Sequence, residues 1–585
     1  MLAALAWVGE HLPGADPASS PVGAAVAALL GLALPLATLT AYLAARVVTR
    51  AGWARALAAL AWSSTAVVTT AVGGGRLGAV VAAILLPLVA AGFALATRRG
   101  SRVMATAATA LGCAVLGAFV PAMLVLGAAA ALALLVLGRG RGPRLRGLAL
   151  LLVPPALMGP WLLEFIEAPY LLLSGPGLTL WGQETALPWQ VALAHPGGPG
   201  STPVLFTAPL VLAGVAGLLR GGRRSAAGTS LAVLALAGLA LALAAPRVTL
   251  GTVPVGVSQA GQPITAWPGI GLLPYVLALI AAALLGADRL PLRRSSGGWL
   301  AVSRWPLWAA VAAAVLASAG WTAWRAVGSE LSAWSDPRPA VAVDQAEGDP
   351  SNRMLLLETA GEQVHYRLLG REVSDVARSL PMTSEARPAD SGLATAVGLI
   401  FERGGSPDGP KPGPALAAQG VGFVGLRAEQ TDPAIRTLDS VAGLSRLGEH
   451  QGVLFWRVLP ADGAADAVVA PSRARIVSAG GVQTVPVSGD HGRLSAEVTA
   501  GRDAPLVMAE PAAWAGHARV TFNGETLKAS PAARQPTYAL PQSRGHLVVE
   551  VLPTYPLWRW AQLALLAAIA FLALPLGGRA SRSRS

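Results

Sequence analysis

The loop from residue 164 to residue 202 carries side chains that could do carbohydrate chemistry. Six of them are relevant: Glu164, Glu167, Trp181, Glu184, Trp189 and His195. Aromatic rings with carboxylates nearby are the groups from which a site for a sugar or a lipid headgroup is built. Sugar transfer from a polyprenyl-phosphate donor needs a carboxylate as general base near the bilayer surface. We therefore predict Glu164 and Glu167 as catalytic residues. The predicted substrate contacts are Trp181, Glu184, Trp189 and His195.

Two alternatives to this interpretation stay open. Glu10 and Asp16 lie in the same kind of position and could also supply the base. The loop could instead be a plain interfacial segment, because tryptophans commonly lie at the level of the lipid headgroups.

Metal, cofactor and redox chemistry have no motif in this sequence. It contains no GxxxxGK[ST], HExxH, CxxC or GxSxG pattern and no Asp-x-Asp pair. The single cysteine, Cys113, lies inside an apolar run. The seven histidines are far apart in the sequence, which is typical of isolated surface histidines. A formal GxGxxG at 420–425 has a strand-like context, which predicts a structural strand. We expect no cofactor and no metal.

Composition places these residues in a membrane protein. The 585 residues are 54% apolar and only 13% charged, with a formal net charge of +13. Soluble domains carry roughly 25% charged residues. Of the 44 basic residues only Lys411 and Lys528 are lysines, and the arginines are dispersed, so we expect no nucleic-acid partner.

Eleven apolar segments are long enough to predict membrane spans. The fourth and fifth are separated only by the region of Pro121, which could be a tight hairpin or a broken helix with a re-entrant turn. The eleven lie at about 22–47, 53–72, 77–96, 103–119, 121–138, 146–163, 203–219, 226–245, 267–286, 305–324 and 557–576.

Arginines predict the orientation of these spans, since they cluster on every second connection and the positive-inside rule assigns those connections to the cytoplasm. The intervening short loops hold only Arg76 and Arg247. The N-terminus is then outside, the C-terminus inside, and the protein is a multi-pass protein of the plasma membrane. The clusters are Arg46/Arg50/Arg55, Arg98/Arg99/Arg102, Arg139/Arg141/Arg144/Arg146, Arg220/Arg223/Arg224, Arg289/Arg293/Arg294/Arg304 and Arg579/Arg582/Arg584.

The predicted fold class is a polytopic α-helical membrane protein of about 11 spans, with an extracytoplasmic α/β plus β-sandwich domain between the last two spans. Residues 1–326 form the multi-span region of about ten helices, and 555–585 the final span with a basic cytoplasmic tail. Mixed helical and strand patterns predict an α/β subdomain over 327–470. Short β-branched runs over 471–554 predict a β-sandwich, with Asn523–Gly524 as a hairpin turn.

Prolines interrupt the sixth predicted span. Pro154, Pro155 and Pro160 remove backbone donors at membrane depth, which is tolerated where neighbouring protein or a cavity satisfies the freed carbonyls. A functional cavity and a simple packing kink both fit this pattern.

Several ordered segments resemble a known family. TAYLAARVVTRAGWARALAALAW, AVGGGRLGAVVAAILLPLVAAG, LLLVPPALMGPWLLE, LAHPGGPG and ITAWPGIGLL are similar to the membrane half of the large actinobacterial family 2 glycosyltransferases. GVGFVGLRAEQTDPAIRTLDSVAGLSRLG and FWRV resemble the extracytoplasmic part of the same proteins. The last outer segments, LVMAEPAAWAGHARVTFNGETL and YALPQSRGHLVVEVLP, resemble the outer β-domain of multi-span proteins related to lipid-linked sugar transferases.

This resemblance implies a role in cell-envelope polysaccharide biosynthesis. The family's N-terminal cytosolic catalytic domain has no counterpart in this sequence, so its transferase residues are not carried over. The expected function is that of a membrane module which handles or presents a polyprenyl-linked glycan in the lipid bilayer, with a separate cytosolic transferase subunit as partner. The alternatives are a self-sufficient polyprenyl-phosphate-sugar-dependent glycosyltransferase and a non-enzymatic membrane scaffold.

Overall fold

The structure is a computed structural model that divides into two compact units. The helical unit comprises 1–250, 264–332 and 557–585, and the sheet unit comprises 251–263 and 333–556. The structure describes every residue except 1–10, 12–20, 99–102, 176–185, 199–201, 222–225, 253–261, 289–303, 327–337, 349–350, 361–362, 371–390, 402–410, 429–430, 460, 463–467, 470, 479–480, 488–491, 502, 531–534, 543, 553–555 and 575–585.

The helical unit begins with thirteen described helices. Nearly all are rich in Ala, Leu and Val, as expected for spans that must satisfy their own backbone in lipid. They are α1 (Pro21–Ala44), α2 (Gly52–Ser63), α3 (Ala66–Gly73), α4 (Leu77–Ala96), α5 (Val103–Phe119), α6 (Pro121–Leu137), α7 (Arg141–Met158), α8 (Glu164–Glu167), α9 (Pro188–Ala192), α10 (Val204–Gly221), α11 (Ala226–Ala244), α12 (Gly269–Asp288) and α13 (Arg304–Ala326). Two short strands, β1 (Thr249–Thr252) and β2 (Pro263–Thr265), lie between α11 and α12.

Helices α5 and α6 form a tight antiparallel hairpin around Val120. A Cβ on Gly117 would touch the Leu124 side chain at 3.0 Å, and one on Gly127 would lie 3.7 Å from the Cys113 sulfur. Residue 117 faces residue 124, and residue 113, one turn earlier, faces residue 127, one turn later. The two helices therefore run antiparallel. Of the two alternatives at Pro121, the structure has the hairpin, with the proline at the first helical position where its missing N–H costs nothing.

The second predicted span is not a single straight helix. Helices α2 and α3 bend by 46° at Ser64–Thr65, so the predicted span at 53–72 is a bent pair of helices. Hydroxyls bond back into the preceding turn at this break: Ser64 Oγ donates to the Leu60 carbonyl at 2.7 Å and Thr65 Oγ1 to the Trp62 carbonyl at 2.8 Å. Such back-bonding bends helices.

Arginine-bearing helix ends gather on one face of the helical unit, which we call the basic face. Arg98 donates to the Val47 carbonyl at 2.9 Å, so the ends of α4 and α1 are neighbours. Arg146, in the first turns of α7, donates to the Ala96 and Arg98 carbonyls at 3.0 and 2.8 Å. The loop 73–76 lies at the other end of α4, and residues 119–121, between α5 and α6, lie next to the start of α4. There Gly175 approaches the Phe119 carbonyl and Gly78, and we call this end the opposite face.

The sheet unit contains a mixed five-stranded sheet in the order β4-β3-β5-β7-β6. Strands β3 and β5 run parallel and the remaining pairs antiparallel. Leu355, Val424 and Trp456 are fully buried in its core. The strands are β3 (Arg353–Ala360), β4 (Gln363–Leu369), β5 (Val421–Arg427), β6 (Leu444–His450) and β7 (Val453–Val458), and the helices α14 (Ala340–Glu347), α15 (Ser391–Phe401), α16 (Pro412–Ala418) and α17 (Pro433–Ser440).

The GxGxxG glycines lie in this sheet. Strand β5 is buried along its length, and a side chain on Gly422 or Gly425 would collide with Asn352 or Met354. The prediction of a structural strand is confirmed, because close packing between strands accounts for these glycines.

Two four-stranded sheets, β11-β10-β13-β16 and β12-β17-β14-β15, follow β8 (Ala461–Asp462) and β9 (Val468–Val469). Ile476 and Leu506 of the first sheet and Phe522 and Leu547 of the second share one buried core, as in a sandwich. The strands are β10 (Ala474–Ser478), β11 (Gly481–Val485), β12 (Leu494–Thr499), β13 (Pro505–Met508), β14 (Ala518–Phe522), β15 (Glu525–Thr526), β16 (Thr537–Ala539) and β17 (Arg544–Val551).

Asn523–Gly524 forms the predicted hairpin turn. The pair Phe522–Glu525 closes a two-residue loop, and Asn523 and Gly524 have φ values of 50° and 85°. Two positive φ angles in succession are the geometry that selects Asn-Gly, so this prediction is confirmed.

The last helix, α18 (Pro556–Ala573), packs against α7 in the helical unit. Gln562 donates from its side-chain amide to the carbonyl of Leu157, next to the proline-interrupted end of α7. Gly159, at φ 64°, lies directly against the Trp558 ring. Helix α7 continues through Pro154 and Pro155 to Met158. Because Gln562 of the neighbouring helix donates to a carbonyl at this end, the contact favours a packing kink over a functional cavity at these prolines.

Among the described residues, five helices are long and apolar enough to cross a membrane, or six if the bent pair α2/α3 counts as one span. Four shorter apolar helices, α5, α6, α10 and α18, coincide with further predicted spans. The chain thus combines several candidate membrane spans with a sheet-containing unit. The total of eleven and the orientation of the termini stay predictions.

Candidate functional site

The structure places the predicted catalytic carboxylates on a short helical turn. Glu164 and Glu167 begin and end α8, and Glu164 is exposed. The backbone of Glu167 is described but its side chain is not. Trp181 and Glu184 lie outside the described residues. Trp189, in α9, is 55% exposed.

His195 is buried, so the prediction of a surface histidine is wrong for this residue. Its Nε2–H donates to the Thr202 carbonyl at 3.0 Å, and its Nδ1 accepts from the Gly197 N–H at 3.2 Å. This pairing requires the neutral Nε2–H tautomer. Burial lowers the pKa of His195, although the bond to Thr202 opposes the shift. The imidazole thus ties Gly197 to Thr202, two residues before α10 begins, and a role as direct substrate ligand stays a prediction.

A half-buried cation lies on the opposite face, at Arg76. Helix α3 ends in a Schellman turn: the Arg76 N–H reaches the Ala71 carbonyl at 2.9 Å, the Gly75 N–H reaches Val72 at 3.0 Å, and Gly75 has φ 60°. Only glycine adopts this conformation without strain, which explains the GGGR sequence. The side chain of Arg76 is half-buried, and burial lowers its pKa to about 10, so it remains a cation at neutral pH.

The Arg76 guanidinium stacks on the indole of Trp267, with 4.5 Å from Cζ to the ring centroid. Trp267 is 8% exposed, and its Nε1–H has no hydrogen-bond partner among the described residues. Gly269 makes room for the ring, because a Cβ there would overlap three of its carbons. A buried donor that lacks a partner is costly unless a ligand or water accepts from it.

Other parts of the loops come close to this Arg76–Trp267 pair. The segment at Gly175, eleven residues after Glu164, packs on Gly78 at the start of α4, directly after Arg76. Tyr275, in α12, donates to the Ala192 carbonyl at 2.9 Å and so ties the end of α9 to the helix that follows Trp267. The opposite face therefore carries a guanidinium, a spare indole N–H and an exposed carboxylate.

The sequence interpretation missed Arg76, counting it only for topology. The available signal was a lone arginine in a loop free of other charges, preceded by three glycines. Among the described residues, no group of three or more His, Cys, Asp or Glu side chains could hold a metal ion.

Comparisons with known proteins add the following. No family model and no curated protein matches the chain. Among solved structures, the chain is similar to a cryo-EM structure of the arabinofuranosyltransferase AftD from Mycobacteria, at 16% identity and a TM-score of 0.46, over 91% of this chain and 51% of that one. A mutant of the same enzyme gives 16% identity and a TM-score of 0.44, over 91% and 54%. The chain spans about half the length of these solved chains.

Proposed function

We propose that this chain is the membrane module of an envelope-glycan glycosyltransferase system, and that it holds a polyprenyl-linked sugar by its phosphate at the Arg76–Trp267 pair. The observation that carries this proposal is a half-buried guanidinium stacked on a buried indole whose N–H lacks a partner among the described residues. The family resemblance of the sequence supports the same substrate class.

The chemistry of the pair suits a lipid phosphate. Guanidinium groups bind phosphate oxygens through two parallel N–H bonds, and these charge-assisted bonds are the strong ones. The indole N–H of Trp267 adds a donor without adding charge. The proposed sugar contacts are Trp189, Trp181 and Glu184.

The proposed function requires one particular orientation of the chain in the membrane. The basic face would lie in the cytoplasm and the opposite face outside, with the sheet unit extracytoplasmic. In a Cys113→Ser background, we expect Gly73→Cys to react with a membrane-impermeant maleimide in intact cells. Gly142→Cys, on the basic face, should react only after lysis. Both residues are exposed, and a Cβ meets no backbone at either position. The reverse labelling pattern would overturn the orientation.

The binding test uses the purified full chain and a radiolabelled short-chain polyprenyl-phosphate sugar. Arg76→Gln removes a charge-assisted contact of about 1.5–3 kcal/mol, so affinity should fall by about 10- to 150-fold. Trp267→Phe keeps the ring and loses the N–H, and should cost about 3- to 10-fold. Arg247→Gln is the matched control, since Arg247 is the other basic residue of these loops but caps its own helix. Equal affinity for Arg76→Gln and Arg247→Gln would refute the proposal.

A second candidate function is sugar transfer by this chain alone. It rests on the exposed Glu164 in the 159–175 loop, which reaches the start of α4 beside Arg76. Glu164 or Glu167 would then act as general base toward the acceptor hydroxyl. If a separate cytosolic subunit performs transfer, its co-purification with the chain distinguishes the two cases.

A further inference from the structure

Residues 62–83 form a helical hairpin with Arg76 at its tip, which we call the Arg76 hairpin. Helix α3 leaves the bend at Ser64–Thr65 and runs for eight residues, about 12 Å at 1.5 Å per residue, to the turn that holds Arg76. Helix α4 begins directly after Arg76 and packs against α3. The direction in which α3 leaves the bend therefore sets the position of the Arg76 guanidinium.

A proline in α4 leaves one carbonyl of the Arg76 hairpin without its regular donor. In an α-helix the carbonyl of residue 83 accepts from the N–H of residue 87, and residue 87 is Pro87, which has no N–H. The Nε1–H of Trp62 donates to this Ala83 carbonyl at 2.8 Å. Trp62 and Ala83 are each 1% exposed, so solvent does not reach the carbonyl. Trp62, in the last turn of α2, thus closes the base of the hairpin.

The other side of the bend is tied to α13. Thr65 has extended backbone angles, φ −64° and ψ 147°, and α3 starts its own bonding with the Thr69 N–H on the Thr65 carbonyl at 3.0 Å. The side chain of Ser318 in α13 donates to the preceding carbonyl, that of Ser64. Ser64 and Ser318 are both buried. Of the two ties at this bend, Trp62 is the one that reaches α4, the helix that follows Arg76.

We propose that Trp62 is a positioning residue for Arg76, an inference that rests on the proposed polyprenyl-phosphate site. With the indole on the Ala83 carbonyl, α3 and α4 keep one relative direction, and the guanidinium stays stacked on Trp267 before the ligand arrives. Such preorganisation removes an ordering cost that binding would otherwise include. Without the tie, a change of about 20° in the direction of α3 moves its far end by about 4 Å, which is more than a hydrogen bond tolerates.

The test separates the tie from the carbonyl that it satisfies. Trp62→Phe keeps an aromatic ring and removes the N–H, which leaves the Ala83 carbonyl unpaired and should lower the thermal midpoint of the full chain by a few degrees. Pro87→Ala, the single variant, restores the regular donor at residue 87. The double variant, Trp62→Phe with Pro87→Ala, should therefore recover most of the lost midpoint, although its indole tie is still missing. Comparing the single and double variants isolates the tie, because the Ala83 carbonyl is paired in both.

Spin labels at Gly73→Cys and Gly320→Cys, in a Cys113→Ser background of the full chain, measure the position of the hairpin tip. Both glycines are exposed, with nothing within 4 Å of an added Cβ, and residue 320 lies in α13 beside the anchor of the bend. The distance distribution should be narrow in the single variant and broader by a few ångströms in the double variant. Affinity for the radiolabelled short-chain polyprenyl-phosphate sugar should fall about three- to tenfold between the same two proteins, as loss of one hydrogen bond does.

Arg146→Gln is the matched control, since Arg146 also donates from its side chain to a carbonyl of α4, that of Ala96 at the far end of the helix. It should leave the label distances and the affinity unchanged, and a loss of affinity equal to that of the double variant would overturn the proposal. Equal label distances in the single and double variants would also overturn it, because Trp62 would then act only through the carbonyl.

Failure of this inference and failure of the proposed function are distinguishable. The label distances need no ligand, so they test the hold of Trp62 on the Arg76 hairpin even if Arg76→Gln and Arg247→Gln bind the sugar lipid alike and the proposed function fails. If Arg76→Gln binds more weakly than Arg247→Gln, equal affinity in the single and double variants overturns the positioning role alone.

Discussion

Gly269→Ala is the sharpest test of the Arg76–Trp267 geometry. A Cβ at residue 269 would lie closer than 3.0 Å to three carbons of the Trp267 ring, a separation that real Cβ atoms essentially never show. The indole is 8% exposed and cannot yield into solvent. The added methyl must therefore push the ring out of its stack on Arg76.

The expected cost has two parts. Overpacking a tight site destabilises by about 1–3 kcal/mol. Loss of the cation–π contact within the protein adds about 2 kcal/mol to that cost in stability. The displaced guanidinium should also weaken binding of the polyprenyl-phosphate sugar by about tenfold or more, as loss of one charge-assisted hydrogen bond does. Gly73→Ala is the matched control. It lies at the end of α3, three residues before Arg76, with nothing within 4 Å of its Cβ, and alanine there should be neutral or slightly stabilising.

The assay pairs a thermal midpoint of the full chain, followed by size-exclusion after heating, with the lipid-binding measurement. We expect Gly269→Ala to lower both and Gly73→Ala to lower neither. A Gly269→Ala protein with wild-type midpoint and wild-type affinity would refute the stacking argument. A lower midpoint with unchanged affinity would show that the packing is tight but that the pair does not bind the ligand.

Three further outcomes follow from individual contacts. Glu510→Gln should destabilise the sheet unit by about 3–5 kcal/mol in a protease-detected melt, because the Glu510 carboxylate accepts a hydrogen bond from Nε of the buried Arg473 at 3.0 Å. Asp439→Asn, which removes an exposed ion pair with Arg446, should cost less than about 1 kcal/mol. The pKa of His195 is lower in the folded protein than the unfolded value of about 6.5, so the stability that this residue contributes is present above pH 6.5 and is lost as the pH falls. Backbone hydrogen exchange near His195 should therefore accelerate on acidification, and the His195→Ala protein should lack this acceleration. Glu164→Gln should abolish sugar transfer without loss of expression if the chain acts alone, and unchanged transfer would remove Glu164 from the mechanism.

Features encoded by adjacent residues were predictable from the sequence. The Asn523–Gly524 turn follows from two residues that tolerate positive φ, and the strand at 421–427 from its context. The apolar helices follow from length and composition. In each case the cause lies within a few positions along the chain, where sequence patterns are informative.

The remainder depends on partners far apart in sequence. Serine and threonine hydroxyls are also tolerated in straight helices, so these residues alone do not predict the bend at Ser64–Thr65. The bend forms because packing against other helices makes the bent conformation lower in free energy than the straight one. The pairing of Arg76 with Trp267 joins residues separated by most of the helical unit. His195 looked isolated because its partners are backbone groups, which carry no residue signature.

The bond from Gln562 to the Leu157 carbonyl also has a consequence for biogenesis. Leu157 ends α7 directly before the loop that carries Glu164, whereas Gln562 is synthesised about 400 residues later. At 5–20 residues per second, the ribosome needs about 20–80 s to cover that distance. The loop therefore reaches its final bonding only after the sheet unit has been made and the last helix has entered the bilayer. In truncated chains released earlier, the Leu157 carbonyl lacks this donor.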